Sequence, residues 1–299
     1  MMAQRRKLVC RYSPQKAAHA LDGMRWSGSH AAMCGRFALH ASPERVAELL
    51  SLDEIEDFPP RYNIAPTQPI LLVIGGAEAR PEANRAGRTA LLARWGLIPS
   101  WVKDASKFPL LINARAETAA TKNSFRAAMT YRRCLIPATE FYEWRRTGSG
   151  PAKPFLFRPA SAQPFAFAGL LETAHGPDGG ELDTAAIVTT SAEGALTEIH
   201  NRMPVVVEEP DYERWLDCRT NAPGAVADIV ATSAAKDFSI VSIGTAVNKV
   251  AHAGPEVQAP IGDFDARKPG IQDLSGRKGA SAQTPKGEQA GEADQLKLL

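Results

Sequence analysis

The chain has 299 residues, 44% of them hydrophobic, with 35 Lys plus Arg against 33 Asp plus Glu, enough for one large or two small cores without covalent staples. Its cysteines, at positions 10, 34, 134 and 218, are too scattered for a disulfide scaffold or a structural zinc knuckle. No run reaches the roughly 18 apolar residues of a membrane span, so a soluble, cytoplasmic protein in a reducing compartment is expected, with no membrane partner.

The near-neutral total hides an uneven distribution. Between Arg88 and Arg146 there are 11 basic residues against 4 acidic ones, whereas between Glu172 and Asp217 there are 2 against 11. The first stretch is suited to holding a polyanion, although solvated faces of opposite sign explain both equally well.

Residues 1–33 carry 6 Lys or Arg and 1 Asp, with no apolar signal region and no periodic pattern. They are expected to be a disordered leader or sequence ahead of a true start at Met33. In chain order, short apolar runs bounded by Gly, Pro, Asn and Asp predict strands at 35–40, 69–75, 89–97, 133–137, 140–145, 153–158, 165–172, 184–190, 204–207 and 239–243. Ser42 before Pro43 caps a predicted helix in which Val46, Leu49 and Leu50 form one stripe. Further helices are predicted over 122–131, with Phe125 and Met129 inward, and over 211–217 and 223–233. From about Ala251 the chain is rich in Gly and Pro and poor in aromatics, which predicts a disordered tail over 251–299. The domain is expected over 34–250, with an α+β, sheet-dominated fold.

Several residues in this domain can carry chemistry. Cys34, in "MCGRF", is either a small buried cysteine or, with Met33 removed, an N-terminal 1,2-aminothiol. Its α-amine, with an ordinary pKa of about 7.7–8.0, would condense with an aldehyde, and its thiol would then close a thiazolidine ring. Glu143, in "EFYEW", is either a surface carboxylate or a proton carrier raised by burial, and His200, in "EIHNRMP", is a surface histidine or a proton donor. Asn113 lies in "LINARAET", at a strand end where side chains can face a substrate, and Arg36, Arg115 and Arg126 are candidate phosphate ligands. Trp95 and Trp144 are core aromatics or platforms for a base. Neither glycine-rich phosphate-binding fingerprint occurs, so no nucleotide cofactor, and no other cofactor, is expected.

Taken together, "MCGRF", "RYNIAPTQ", "RWGLIPSW", "NARAET", "RRCLIPATEFYEW", "FAFAGLLE", "TEIHNRMP" and "VSIGTAVNKVAHAGP" resemble the SRAP family. These are the SOS-response-associated peptidases, understood as abasic-site processing proteins. The resemblance runs over about residues 33 to 256. It implies a single α+β domain around a curved, barrel-like, mostly antiparallel sheet, with a basic groove for single-stranded DNA. It also implies a covalent cross-link between an N-terminal cysteine and the ring-opened abasic sugar, and a peptidase activity that removes residues ahead of that cysteine. By this resemblance Cys34, Asn113, Glu143 and His200 are catalytic, Arg36, Arg115 and Arg126 contact phosphates, and Trp95 wedges a base, with Trp144 a second aromatic contact. Association with replication or damage-response machinery, and with the nucleoid during damage, is expected. The family begins Met-Cys, whereas here 33 residues precede Cys34. Two alternatives remain at this point: a Cys-His thiol protease or amidase, and a non-covalent single-strand-binding module.

Overall fold

Alternation of side chains along each strand decides which layer it buries. The computed structural model describes residues 34–75, 87–146, 148, 150–176, 179–231 and 238–263. The expected leader, the end of the tail and part of the last predicted helix lie outside the described residues. The first half holds β1 (Arg36–Leu39), α1 (Pro43–Leu49), β2 (Arg61–Ile64), β3 (Pro69–Gly75), β4 (Arg88–Trp95), β5 (Asn113–Arg115), α2 (Ala116–Ala119) and α3 (Arg126–Tyr131). Next come β6 (Arg133–Ala138), β7 (Glu140–Arg145), β8 (Lys153–Pro159), β9 (Phe165–His175), β10 (Glu181–Ser191), β11 (Arg202–Pro204) and β12 (Val206–Val207). The last elements are α4 (Tyr212–Leu216), α5 (Ala227–Ala231), β13 (Phe238–Ile243) and β14 (Pro260–Asp263).

The fold is α+β and sheet-dominated, as expected. One sheet has the order β14-β13-β8-β7-β1-β2, all antiparallel. In the other, β4, β3, β6, β9 and β10 pair in succession and β10 returns to β4, closing a ring. The β10–β4 pairing is parallel, as is the pairing of β10 with the short β5. Phe37 of β1 and Phe141 of β7 face the main core, while Ala38 and Tyr142 face a smaller apolar cluster with Val247 and Val257.

Local chemistry explains most boundaries. The Ser42 side chain accepts the Arg45 backbone N–H and Pro43 sits in the first turn of α1. β4 stops short of the predicted residue 97 because Gly96 takes φ +128°. A Cβ there would lie 2.3 Å from Leu110 Cδ1. Gly96→Ala is therefore expected to lower stability by about 1–3 kcal/mol, read as a lower urea midpoint; an unchanged midpoint would remove this account of the turn. The predicted helix over 122–131 begins only at Arg126, and Lys122 accepts the Phe125 N–H in the preceding turn.

The described fold runs on past the expected boundary at residue 250. A 3-10 turn at Pro255–Gln258 packs Val257 into the second cluster, and β14 pairs with β13 at Val241↔Asp263 and Ser242↔Gly262. Tertiary burial and an open sheet edge order a segment whose composition alone reads as tail. Among the described residues no helix is long and apolar enough to cross a membrane.

Candidate functional site

β1 and β7 pair with Arg36 opposite Tyr142, and this register sets the turn before β1 beside the middle of β7. Cys34 in that turn is fully buried, and its backbone N–H donates to Glu143 Oε1 at 2.6 Å. Its φ of 36° lies in the left-handed region, a conformation that costs a side-chain-bearing residue about 1–3 kcal/mol. Burial first, and the Glu143 carboxylate second, raise the Cys34 thiol well above its ordinary range.

Glu143 shares the inward face of β7 with Phe141 and is 1% exposed. Burial pushes its carboxyl up to about 8, against the hydrogen bonds from the Cys34 and Trp144 backbones that favour the anion. A carboxyl so placed exchanges protons near neutrality.

A second group of residues is built around β10. β5 runs parallel to it, pairing Asn113 with Ile187 and Arg115 with Thr189, and β11 pairs antiparallel with Ser191 opposite Arg202. Asn113, Arg115, Thr118, Thr121, Lys122 and Phe125 line a groove of about 560 Å³. Lys122 lies 5.6 Å from the Phe125 ring centroid. His200, half-buried just before β11, accepts the Arg202 backbone N–H on Nδ1 at 3.0 Å. With Nδ1 accepting, Nε2 carries the proton of the neutral ring, and in the protonated ring Nδ1 faces the Arg202 carbonyl at 3.3 Å as a donor. Burial, then the Arg202 charge, hold its pKa below the ordinary value against the opposing pull of the Arg202 backbone. The Arg202 guanidinium grips Glu117 through both nitrogens and also donates to the Thr189 carbonyl at 2.6 Å.

Two of the expected DNA contacts are buried in the structure. Trp95 is fully buried, edge-on to Phe37 at 5.2 Å between centroids, so no base can stack on it. Its indole N–H donates to the Ile112 carbonyl at 2.9 Å, which fixes the residue immediately before Asn113. Arg36 is 7% exposed and donates to Asn63 Oδ1 at 2.7 Å and to the carbonyls of Val247 and Asn248. It shares the face of β1 with Ala38, opposite Phe37, which points it into the second cluster and away from a groove. Trp144 is half-buried, its indole N–H donating to Asn248 Oδ1 at 2.8 Å. Arg115 and Arg126 are exposed, the first in the groove and the second at the start of α3.

Sequence reasoning passed over Thr118, Thr121 and Lys122, although "NARAETAATK" runs straight on from Asn113. It also passed over Trp101, which is 57% exposed and edge-on to Phe108 in the connection between β4 and β5. The polar setting of "SWVKD", against the apolar "RWGLIP" around Trp95, was the available signal. Among the described residues no His, Cys, Asp and Glu group is arranged to hold a metal ion.

Comparison with known proteins places the chain in a family. An abasic site processing protein of Bacillus subtilis, YoqW, is 36% identical over 228 residues, spanning 75% of this chain and 98% of its own. Another, YedK of Escherichia coli, is 32% identical over 238 residues, spanning 77% of this chain and all of its own length. A solved Bordetella bronchiseptica protein at 24% identity superposes with a TM-score of 0.59 over 71% of this chain and all of that one, which speaks for the fold. The profile of the family "SOS response associated peptidase (SRAP)" matches residues 33–250, and with the two curated relatives this establishes that the chain belongs to that family.

Proposed function

We propose that this chain, once Cys34 is its first residue, processes abasic sites in single-stranded DNA by linking itself covalently to the opened sugar. The observation that carries the reading is the 2.6 Å contact between the Cys34 nitrogen and the Glu143 carboxylate. With the peptide bond to Met33 cut, that nitrogen is a primary amine beside a carboxyl able to take its proton. The amine attacks the C1′ aldehyde of the open sugar, giving a carbinolamine. Glu143 then returns a proton to the departing hydroxyl, and water and an imine result. The thiol adds across the C=N bond: sulfur bonds to C1′ and the thiol proton passes to nitrogen, closing the thiazolidine. In total one aldehyde and one aminothiol give one thiazolidine and one water. As the sugar opens, the proton of the C1′ hydroxyl passes to the ring oxygen, with Nε2–H of His200 hydrogen-bonded to that oxygen, and Asn113 holds the sugar. The names of relatives such as YoqW and YedK supply the substrate class.

A thiolate protease is the weaker reading, because burial holds the Cys34 thiol protonated and His200 is engaged by Arg202 instead of Cys34. Removal of residues ahead of Cys34 remains part of the proposal, with the same Glu143 as proton carrier and the left-handed turn at Cys34 raising the energy of the uncut chain. Trp101 replaces Trp95 as the aromatic offered to a base.

The test is a denaturing gel of the chain beginning at Cys34 with single strands that contain or lack one abasic site. A shifted band with the abasic strand alone is expected; equal bands, or none, would sink the reading. In the groove, Arg115→Ala and Lys122→Ala should each lower the slope of log affinity against log salt by up to about 0.7, whatever the sequence. Arg36→Met should leave that slope unchanged, and a lowered slope would return Arg36 to the DNA.

A further inference from the structure

The reactive pair sits on one face of the β1–β7 ladder, and a strap of chain, residues 245–258, covers the other. The strap is held by two buried polar side chains. Asn63 Nδ2 donates to the carbonyls of Lys249 at 3.1 Å and His252 at 2.8 Å, while Arg36 donates to those of Val247 and Asn248. Such carbonyls have direction, so the pair fixes both where the strap lies and how Asn248 is presented.

Asn248 meets both halves of the site at once. Its carbonyl accepts from Arg36, two residues beyond Cys34, at 3.3 Å. Its side-chain Oδ1 accepts the indole N–H of Trp144, the residue after Glu143, at 2.8 Å. The Trp144 backbone N–H in turn donates to the Glu143 carboxylate, and Glu143 accepts the Cys34 nitrogen. The contacts close a ring through Cys34, Arg36, Asn248, Trp144 and Glu143. β7 is paired on both sides, with β1 at Arg36↔Tyr142 and with β8 at Glu143↔Phe155 and Trp144↔Pro154, and the Asn248 contact adds a side-chain anchor at the residue next to Glu143.

We infer that Asn248 is a positioning residue for the amine–carboxylate pair, acting through the Trp144 indole, and that Trp144 serves this contact and not a DNA base. The inference rests on the proposed reaction for its consequence, and on geometry alone for its existence.

Two measurements separate these. In the full chain, hydrogen exchange of the Cys34 amide reads the Cys34–Glu143 contact without any DNA. Asn248→Ala should speed that exchange about tenfold, with amides of β3 and β9 unchanged, and Asn248→Asp, which keeps the acceptor, should restore the parent rate. In the chain beginning at Cys34, Asn248→Ala and Trp144→Phe should each slow cross-linking at saturating DNA about tenfold, with the half-saturating concentration unchanged. The double variant should be no slower than either single one. Parent-like exchange in Asn248→Ala would overturn the inference, as would a raised half-saturating concentration with an unchanged rate in Trp144→Phe, which would make the indole a DNA contact. A parent that forms no cross-link would remove the proposed reaction, while the exchange experiment would still decide the role of Asn248.

Discussion

A chain that keeps any residue ahead of Cys34 is expected to leave abasic DNA unmodified, while one beginning at Cys34 gives a band that survives denaturation. The reason is electronic: the lone pair of a peptide nitrogen is delocalised into its carbonyl, and no neighbouring side chain restores a nucleophile. The site in the uncut chain already holds that nitrogen 2.6 Å from Glu143, so cutting the bond changes the nitrogen and not the constellation. A time course of intact mass beside cross-link yield tests this for the full chain and for the chain beginning at Cys34. Yield should follow the mass of the Cys34 form, and alanine at Glu143 or His200 should slow any self-cutting. Equal yield from a full chain whose mass never changes would move the nucleophile to the Cys34 sulfur.

The second large effect is at Glu143. Replacing it by Gln keeps an acceptor for the Cys34 nitrogen but removes the exchangeable proton, and cross-linking should slow by about 10²–10⁴ in the chain beginning at Cys34. The same substitution has a stability signature in the full chain. Burial raises the folded carboxyl from 4.5 up to about 8, so the folded state keeps a proton that the unfolded state has released. The contribution is present in full below the unfolded value and is lost as pH rises toward the folded one. Stability should therefore fall between pH about 4.5 and about 8, by at most about 1.4 kcal/mol per pH unit. Glu143→Gln should flatten that fall, leaving the variant more stable than the parent at the alkaline end. Urea midpoints across this range decide the matter: parallel curves for the two chains would mean that Glu143 ionises freely. In the chain beginning at Cys34 an ammonium would face the carboxylate and draw its folded pKa down, so the fall should end at lower pH there.

The relation of sequence to structure is clearest in particular residues. Strands at 69–75, 133–138 and 140–145 could be read because their apolar residues either run unbroken or alternate with turn residues at each end. The α1 start was written in Ser42 and Pro43. The short strands β2, β5 and β14 could not be read, because three or four residues with few large apolar side chains have no period of their own; each exists through the partner it pairs with. Of the candidate site, the blocks around Cys34, Asn113, Glu143 and His200 stood out as motifs, and tertiary structure joined Cys34 to Glu143 across 109 positions of sequence.

Residue type alone could not separate reactive from structural roles. An arginine two residues from Cys34 reads as a phosphate ligand, yet strand alternation sends Arg36 to the face opposite Phe37, where three contacts, with Asn63 Oδ1 and the carbonyls of Val247 and Asn248, hold it. Trp95 and Trp101 are the same side chain six positions apart, one sealed against Phe37 and the other exposed beside Phe108. By itself the sequence determined which groups the chain carries, since a thiol, a carboxyl, an imidazole and basic groups are properties of residues. Only the tertiary structure decided which copies of those groups meet, because burial, strand register and the direction of each hydrogen bond depend on partners far away in the chain.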